Sequence, residues 1–342
     1  MPHMELPFRI REDLKRVVDR GHAFGLGVAG GVTRPPAWGW SRLTQPLNDA
    51  HPASLTWTVV VSHELLRPLL MEFFRLLPAE VTGILELGSR DAFRAVDVFL
   101  SRQAIHVDRF RGAWDLFEPI LLEDASLAVG VNGDGPFIEI FLDQDKRLMV
   151  HGEPATASHV EAVLRRFSLA ERSESEILMP DTMLDATQTR SVLQERPGVI
   201  MDNDQLLLEL RAAWDLDLDD DPERNLDAAG RDIGRTLWQG VVLIDQEDVA
   251  GRREAHGHFW GVAGSRRDME QLAIDYIEAQ GEWEVLDVIS LDRSAFDNRP
   301  PQLDNLKPSL PNAGVLAWRV EPLGTVPDWD SEEDEWDGND RF

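Results

Sequence analysis

ASLAVGVNGDGPFIEIFLDQDKRLMVH, residues 125–151, decides the fold class. It contains three short apolar runs, 125–131, 137–142 and 147–151. Asn132-Gly133-Asp134-Gly135 separates the first two, and residues 143–146 separate the last two. Asn, Asp and Gly reverse a chain at low cost, because they tolerate left-handed backbone or bond to their own chain. Strands joined by such short turns pair antiparallel, since a parallel pair needs a long crossover. Upstream, Val and Thr around Trp57 make 55–62 a buried strand. Residues 63–77 carry a broad helical apolar face, with Pro68 in the first turns and Pro78 at the end. Residues 81–87 form the next strand. Residues 104–122 are expected as helix broken at Pro119, and 158–169 as helix capped by Thr156 or Ser158.

The second half repeats this grammar. It reads as helix over 204–214, strands over 237–244 and 253–262, and helix over 266–280 ended by Gly281. Strands over 283–291 and 313–320 complete it. Hairpins with single covering helices argue against a parallel Rossmann sheet. The expected class is α+β, with two related modules of mainly antiparallel sheet covered by helices, ferredoxin-like or a similar sandwich. The expected division is an arm over 1–54 (a short helix over 11–20, then a long loop after Gly31), a first module over 55–169 and a linker over 170–203. A second module over 204–326 and an acidic, disordered tail over 327–342 follow.

An internal echo supports the relation between modules. Arg111-Gly112-Ala113-Trp114-Asp115-Leu116 recurs as Arg211-Ala212-Ala213-Trp214-Asp215-Leu216. Each copy is followed by a strand ending in Asp-Gln (Asp143-Gln144, Asp245-Gln246), then by His-Gly (His151-Gly152, His256-Gly257) and a helix. A duplication places Trp114 and Trp214 at equivalent positions.

Composition narrows function. The 342 residues carry 62 Asp and Glu against 34 Lys and Arg, a formal charge of -28. Such a field repels nucleic acid and anionic lipid, whose binding rests on Lys and Arg. It favours a basic protein partner. The absence of cysteine excludes disulfides, thiolate metal sites and cysteine nucleophiles. The N-terminus lacks a basic region followed by an apolar run, and no apolar window is long enough for a membrane span, so a cytoplasmic location is expected.

Four stretches invite chemistry. Residues 25–30 match the Gly-x-Gly-x-x-Gly of dinucleotide sites, but neither a strand before nor a helix after them supports it, and a turn-rich loop is the reading. Asp215, Asp217 and Asp219 open like a calcium loop, but Asp220 and Leu226 stand where Gly and Glu are needed. Glu254, His256 and His258 alternate along an expected strand, which puts them on one face with the donor types of a zinc or iron site. In the tail, Trp329, Trp336 and Phe342 sit among carboxylates, an arrangement suited to a basic groove with apolar pockets. No nucleophile elbow, phosphate loop or zinc-protease helix is present, and no cofactor is called for.

The expected function is a non-enzymatic binding or regulatory protein acting on a basic protein partner through acidic surfaces. The alternatives are a metal-dependent enzyme using His256 and His258, or a structural component of a larger assembly. In its acidic tail and its βαβ with a following strand, the C-terminal module resembles the bacterial protein inhibitors of ribonuclease E. No residue role is carried over from that resemblance.

Overall fold

The computed structural model describes residues 8–30, 37–46, 53–177, 188–194, 203–248 and 251–322. Two compact units emerge. The first comprises Met1–Gly88, Val98–Gln194 and Glu209–Asp219; the second comprises Ser89–Asp97, Glu195–Leu208 and Asp220–Phe342. The division differs from a single linker over 170–203. Its cause is non-local pairing, because residues just after Trp214 complete a sheet of the first unit.

The first unit opens with β1 (Val18–Asp19) and β2 (His22–Ala23), then β3 (Gly39–Gln45), β4 (Ser54–Val60), α1 (His63–Phe74), β5 (Glu80–Gly88), β6 (Val96–Ser101) and β7 (Ile105–His106). It continues with α2 (Val107–Glu123), β8 (Leu127–Gly133), β9 (Ile138–Leu142), β10 (Leu148–Gly152), α3 (Ala157–Arg166), α4 (Glu174–Ile177), the part of α5 (Asn203–Trp214) from Glu209 onward, and β11 (Leu216–Leu218). The main sheet runs β11-β6-β5-β8-β9-β10-β4-β3, with β7 on β5. β8, β9 and β10 form the antiparallel meander expected from residues 125–151.

These strands bury alternate residues, as a one-sided sheet requires. Leu55, Trp57 and Val59 of β4 are buried while Thr56 and Thr58 are only half-buried. Phe110, Trp114, Phe117 and Ile120 supply the buried stripe of α2.

Four local expectations are corrected. α2 is not broken at Pro119: the residues after it, Ile120 to Leu122, are buried, and that burial outweighs one missing N–H. Residues 11–20 form turns and β1 rather than a helix. Arg16 reaches out instead to Glu123. The loop expected after Gly31 contains β3, paired along its length with β4. The acidic run after Trp214 begins with β11, antiparallel to β6.

The tryptophans of the echo share one core. Trp114 lies within α2 and Trp214 ends α5, where Asp215 turns left-handed at φ 54°. The Phe110 ring stacks on Trp214 at 4.9 Å and lies 6.2 Å from Trp114, and Trp214 Nε1 donates to the Phe110 carbonyl. They are neighbours in the first unit and not counterparts in two.

The second unit contains β12 (Thr236–Asp248), β13 (Gly251–Ala263), α6 (Arg266–Ala279), β14 (Glu284–Ser294) and β15 (Gly314–Pro322). Its sheet runs β14-β12-β13-β15, antiparallel throughout. α6 buries Met269, Ala273 and Ile277, one turn apart, against Trp238, Val242, Ile244, Ala255 and Phe259. Ser265 caps its start by accepting from the Asp268 amide, and Gly281 at φ 75° follows its end. A Cβ on Gly240 would lie 2.4 Å from the Phe259 ring, so only glycine lets that ring cross β12. The other face of the sheet is packed by Leu303 against Leu237, Trp260, Val262 and Leu316. No helix among the described residues is long and apolar enough to cross a membrane.

Candidate functional site

Three places in the second unit concentrate polar chemistry. The first is the histidine face of β13. Cα register sets Glu254 against Asp245, His256 against Leu243 and His258 against Val241, while β15 brings Glu321 beside His256 and Arg319 beside His258. All three expected ligands therefore lie on the face away from α6. Glu254 is exposed, His256 half-buried and His258 buried.

Arg319 Nη2 is 2.5 Å from Glu321 Oε1, and Glu321 Oε2 is 3.3 Å from His258 Nε2. Arg319 already meets the charge of Glu321. Burial, then Arg319, then His256 push the His258 imidazole down to about 3, so it is neutral at physiological pH and its contact with Glu321 is not an ion pair. The guanidinium that opposes a proton on His258 opposes a metal cation there for the same Coulombic reason. Among the described residues no three His, Asp or Glu side chains converge on a point that could hold a metal.

The second place is the outer side of α6. Between Arg267 and Arg293 the chain has eight Asp and Glu and no Lys, Arg or His. Asp268, Asp275, Glu278 and Glu282 are exposed; spacings of seven and three residues place the first three on one stripe of the helix, and Glu282 follows its end. No cationic side chain among the described residues pairs with any of them. Several acids elsewhere are matched: Arg166 and Arg75 reach Glu72, Arg42 reaches Glu161, and Arg231 reaches Asp227. This stripe was legible as a charge count along the sequence.

The third is a cavity of about 250 Å³, open to one side, between the segment 220–228 and the start of β12, α6 and the end of β14. Arg94, Arg224, Arg266 and Arg293 line it together with Asp220, Asn225 and Trp238. Arg293 sits on β14 with 6 % of its side chain exposed. Its Nε donates to Asp91 Oδ2 at 2.7 Å, and its Nη1 donates to Asn225 Oδ1 at 2.9 Å and to the Leu226 carbonyl. The guanidinium lies 5.3 Å from the Phe93 ring and 6.0 Å from the Trp238 ring. Sequence reading missed this place because its residues come from five separate segments.

Next to Arg293, Asp292 points to the other face of the sheet. Burial is the main cause that lifts its carboxyl to about 6. Asp97 and Asp91 add to the shift, and Arg90, 4.0 Å away, and Arg94 oppose it.

The glycines of the dinucleotide-like stretch have a structural use in the first unit. Gly27 N donates to the Glu123 carbonyl at 2.7 Å, and a Cβ on Gly27 would lie 2.4 Å from the Ala125 nitrogen. Close approach to the end of α2 is what Gly25 and Gly27 permit. Asp217, one of the calcium-like aspartates, lies on β11 and pairs with Leu100. Trp329, Trp336 and Phe342 lie outside the described residues. The chain matches no family model, no curated protein and no solved structure.

Proposed function

We propose that this chain is a non-enzymatic binding or regulatory protein, and that a basic protein surface docks on the outer stripe of α6. The observation that carries the reading is the unmatched charge of Asp268, Asp275 and Glu278 on a helix whose opposite face is locked into a core, with Glu282 just past its end. Repulsion among like charges on one helix face is a standing cost, and a cationic partner relieves it. Because these groups are exposed, their attraction speeds encounter and sets specificity more than it adds affinity, and salt screens it.

The test neutralises the stripe. The variant Asp268→Asn, Asp275→Asn, Glu278→Gln, Glu282→Gln is compared with one that removes an equal number of exposed acids from the first unit, at Asp108, Asp134, Glu171 and Glu174. Proteins captured by the immobilised chain are identified at low and physiological ionic strength. Basic proteins held by the wild type and by the first-unit variant are expected to be lost from the α6 variant. Equal retention by both variants sinks the assignment to α6.

A further inference from the structure

The cavity of the second unit has donor capacity left over. Its carboxylates are met by cations or amides of the protein. Asp220 is held by Arg266 Nη2 at 2.8 Å and Arg94 Nη1 at 3.6 Å. Asp227 is held by Arg231 and by the amides of Ala229 and Arg231. Asp221 Oδ1 receives the Glu223 amide at 3.1 Å.

The donors are not all used. Arg293 spends Nε and Nη1 on Asp91, Asn225 and Leu226, while its Nη2 makes no hydrogen bond among the described residues. Arg224, exposed at the rim, has no side-chain hydrogen bond or ion pair among the described residues, and Arg266 Nε is buried without a hydrogen-bond partner. A guanidinium fixed by a carboxylate, an amide and two aromatic rings is preorganised, so little rotamer entropy is lost when a ligand takes its remaining edge.

We infer that this cavity is a binding site for a small oxyanion, a carboxylate or phosphate group on a molecule small enough to enter about 250 Å³. The oxyanion accepts from Arg293 Nη2, Arg224 supplies charge at the mouth, and Leu226 and Trp238 give the remainder of the ligand an apolar wall. The site is separate from the acidic stripe of α6 and does not depend on a protein partner. Its lining arginines let it accept an anion on a chain of charge -28, because short-range charge-assisted hydrogen bonds outweigh a field screened by salt.

The experiment is calorimetric titration of the full chain with acetate, benzoate and inorganic phosphate at constant ionic strength, with chloride as the blank. The wild type is expected to bind at least one of them saturably, one to one. Preference among the probes tells whether a carboxylate or a phosphate is the source. Arg224→Gln removes an exposed side chain with no hydrogen bond or ion pair among the described residues, so the fold is retained, and it is expected to weaken binding about tenfold. Arg235→Gln, also exposed in the second unit but outside the cavity lining, is expected to leave binding unchanged. Absence of saturable binding to all three probes overturns the inference, as does an equal loss in Arg224→Gln and Arg235→Gln, which marks a general effect of charge.

Discussion

An ionic cluster in each unit makes the comparison, and the two differ in what remains unspent. In the first, Glu123 receives four contacts on two oxygens. Arg16 Nη2 is 2.6 Å and His63 Nε2 3.0 Å from Oε1, while Arg16 Nη1 at 3.0 Å and the Leu26 amide at 2.7 Å meet Oε2. A carboxylate accepts about four hydrogen bonds, so this one is saturated. In the second, Arg293 offers five N–H groups and places three, with Asp91, Asn225 and Leu226. The saturated cluster is a latch, fastening the segment before β3 to the end of α2. The unsaturated one lines a cavity and has an edge to offer. A buried charge thus acts as glue or as a receptor according to how many of its valences the protein itself fills.

Breaking the second cluster gives the largest expected effect. Asp91→Ala leaves a nearly buried guanidinium without its carboxylate and also removes the acceptor of the Phe93 and Arg293 amides. Removing one member of a buried pair typically costs about 3–5 kcal/mol, because the other charge stays desolvated. Denaturant unfolding of wild type and variant measures it. A loss under about 1 kcal/mol means that Asp91 and Arg293 are not paired in solution.

How much of this was legible follows from the kind of signal each element carries. β12, β13 and α6 declare themselves by local periodicity, and the face shared by Glu254, His256 and His258 follows from alternation alone. Their neighbours Arg319 and Glu321 do not, because only the β13–β15 register brings them there. β3 hides in a stretch with Pro35, Pro36 and Pro46 nearby. β11 hides because its three residues, Leu216, Asp217 and Leu218, lie in an acidic run, and pairing with β6 overrides that composition. The Arg293 cavity is the extreme case. Asp91, Asp220, Asn225, Trp238 and Arg293 are unremarkable one by one, and their meeting is a property of topology. The echo misled for the same reason: Arg-x-Ala-Trp-Asp-Leu reads alike in both places, yet at Asp115 the helix continues and at Asp215 it turns left-handed into a strand.

A second comparison concerns pH, and here the units respond with opposite sign. Asp292 has its folded carboxyl raised to about 6 from an ordinary value of 3.8, chiefly by burial. A raised carboxyl means that folding disfavours the charge. The penalty is absent below about 4, grows as pH rises, and is complete above about 6. Asp292→Asn keeps the shape and removes the charge. It is expected to stabilise the chain by about 3 kcal/mol at neutral pH, since the shift of about two units already includes the opposing pull of Arg90 and Arg94. At pH near 4 the gain should vanish. Thermal unfolding at both pH values checks it, and equal melting temperatures at neutral pH would show that Asp292 is already solvated.

Glu123→Gln gives the smallest effect and sharpens the contrast between latch and receptor. Glu123 is held down to about 2 from 4.5: burial opposes its charge, and the hydrogen bonds of His63, Arg16 and the Leu26 amide more than offset that. A depressed carboxylate contributes stability that is complete above about 4.5 and is lost as pH falls toward 2. Arg16 is a quarter exposed, so solvent screens part of the attraction. The variant is therefore expected to lose only about 1 kcal/mol at pH 7. The gap to wild type should close between pH 4.5 and 2, as the native carboxylate is protonated and becomes a neutral group like the amide that replaces it. Limited proteolysis adds a local readout, since a loosened latch exposes the segment before β3 to cleavage without unfolding the sheet. A gap that persists unchanged down to pH 2 would mean that Glu123 acts through packing rather than charge, and the first cluster would then not be the saturated ionic latch that the comparison requires.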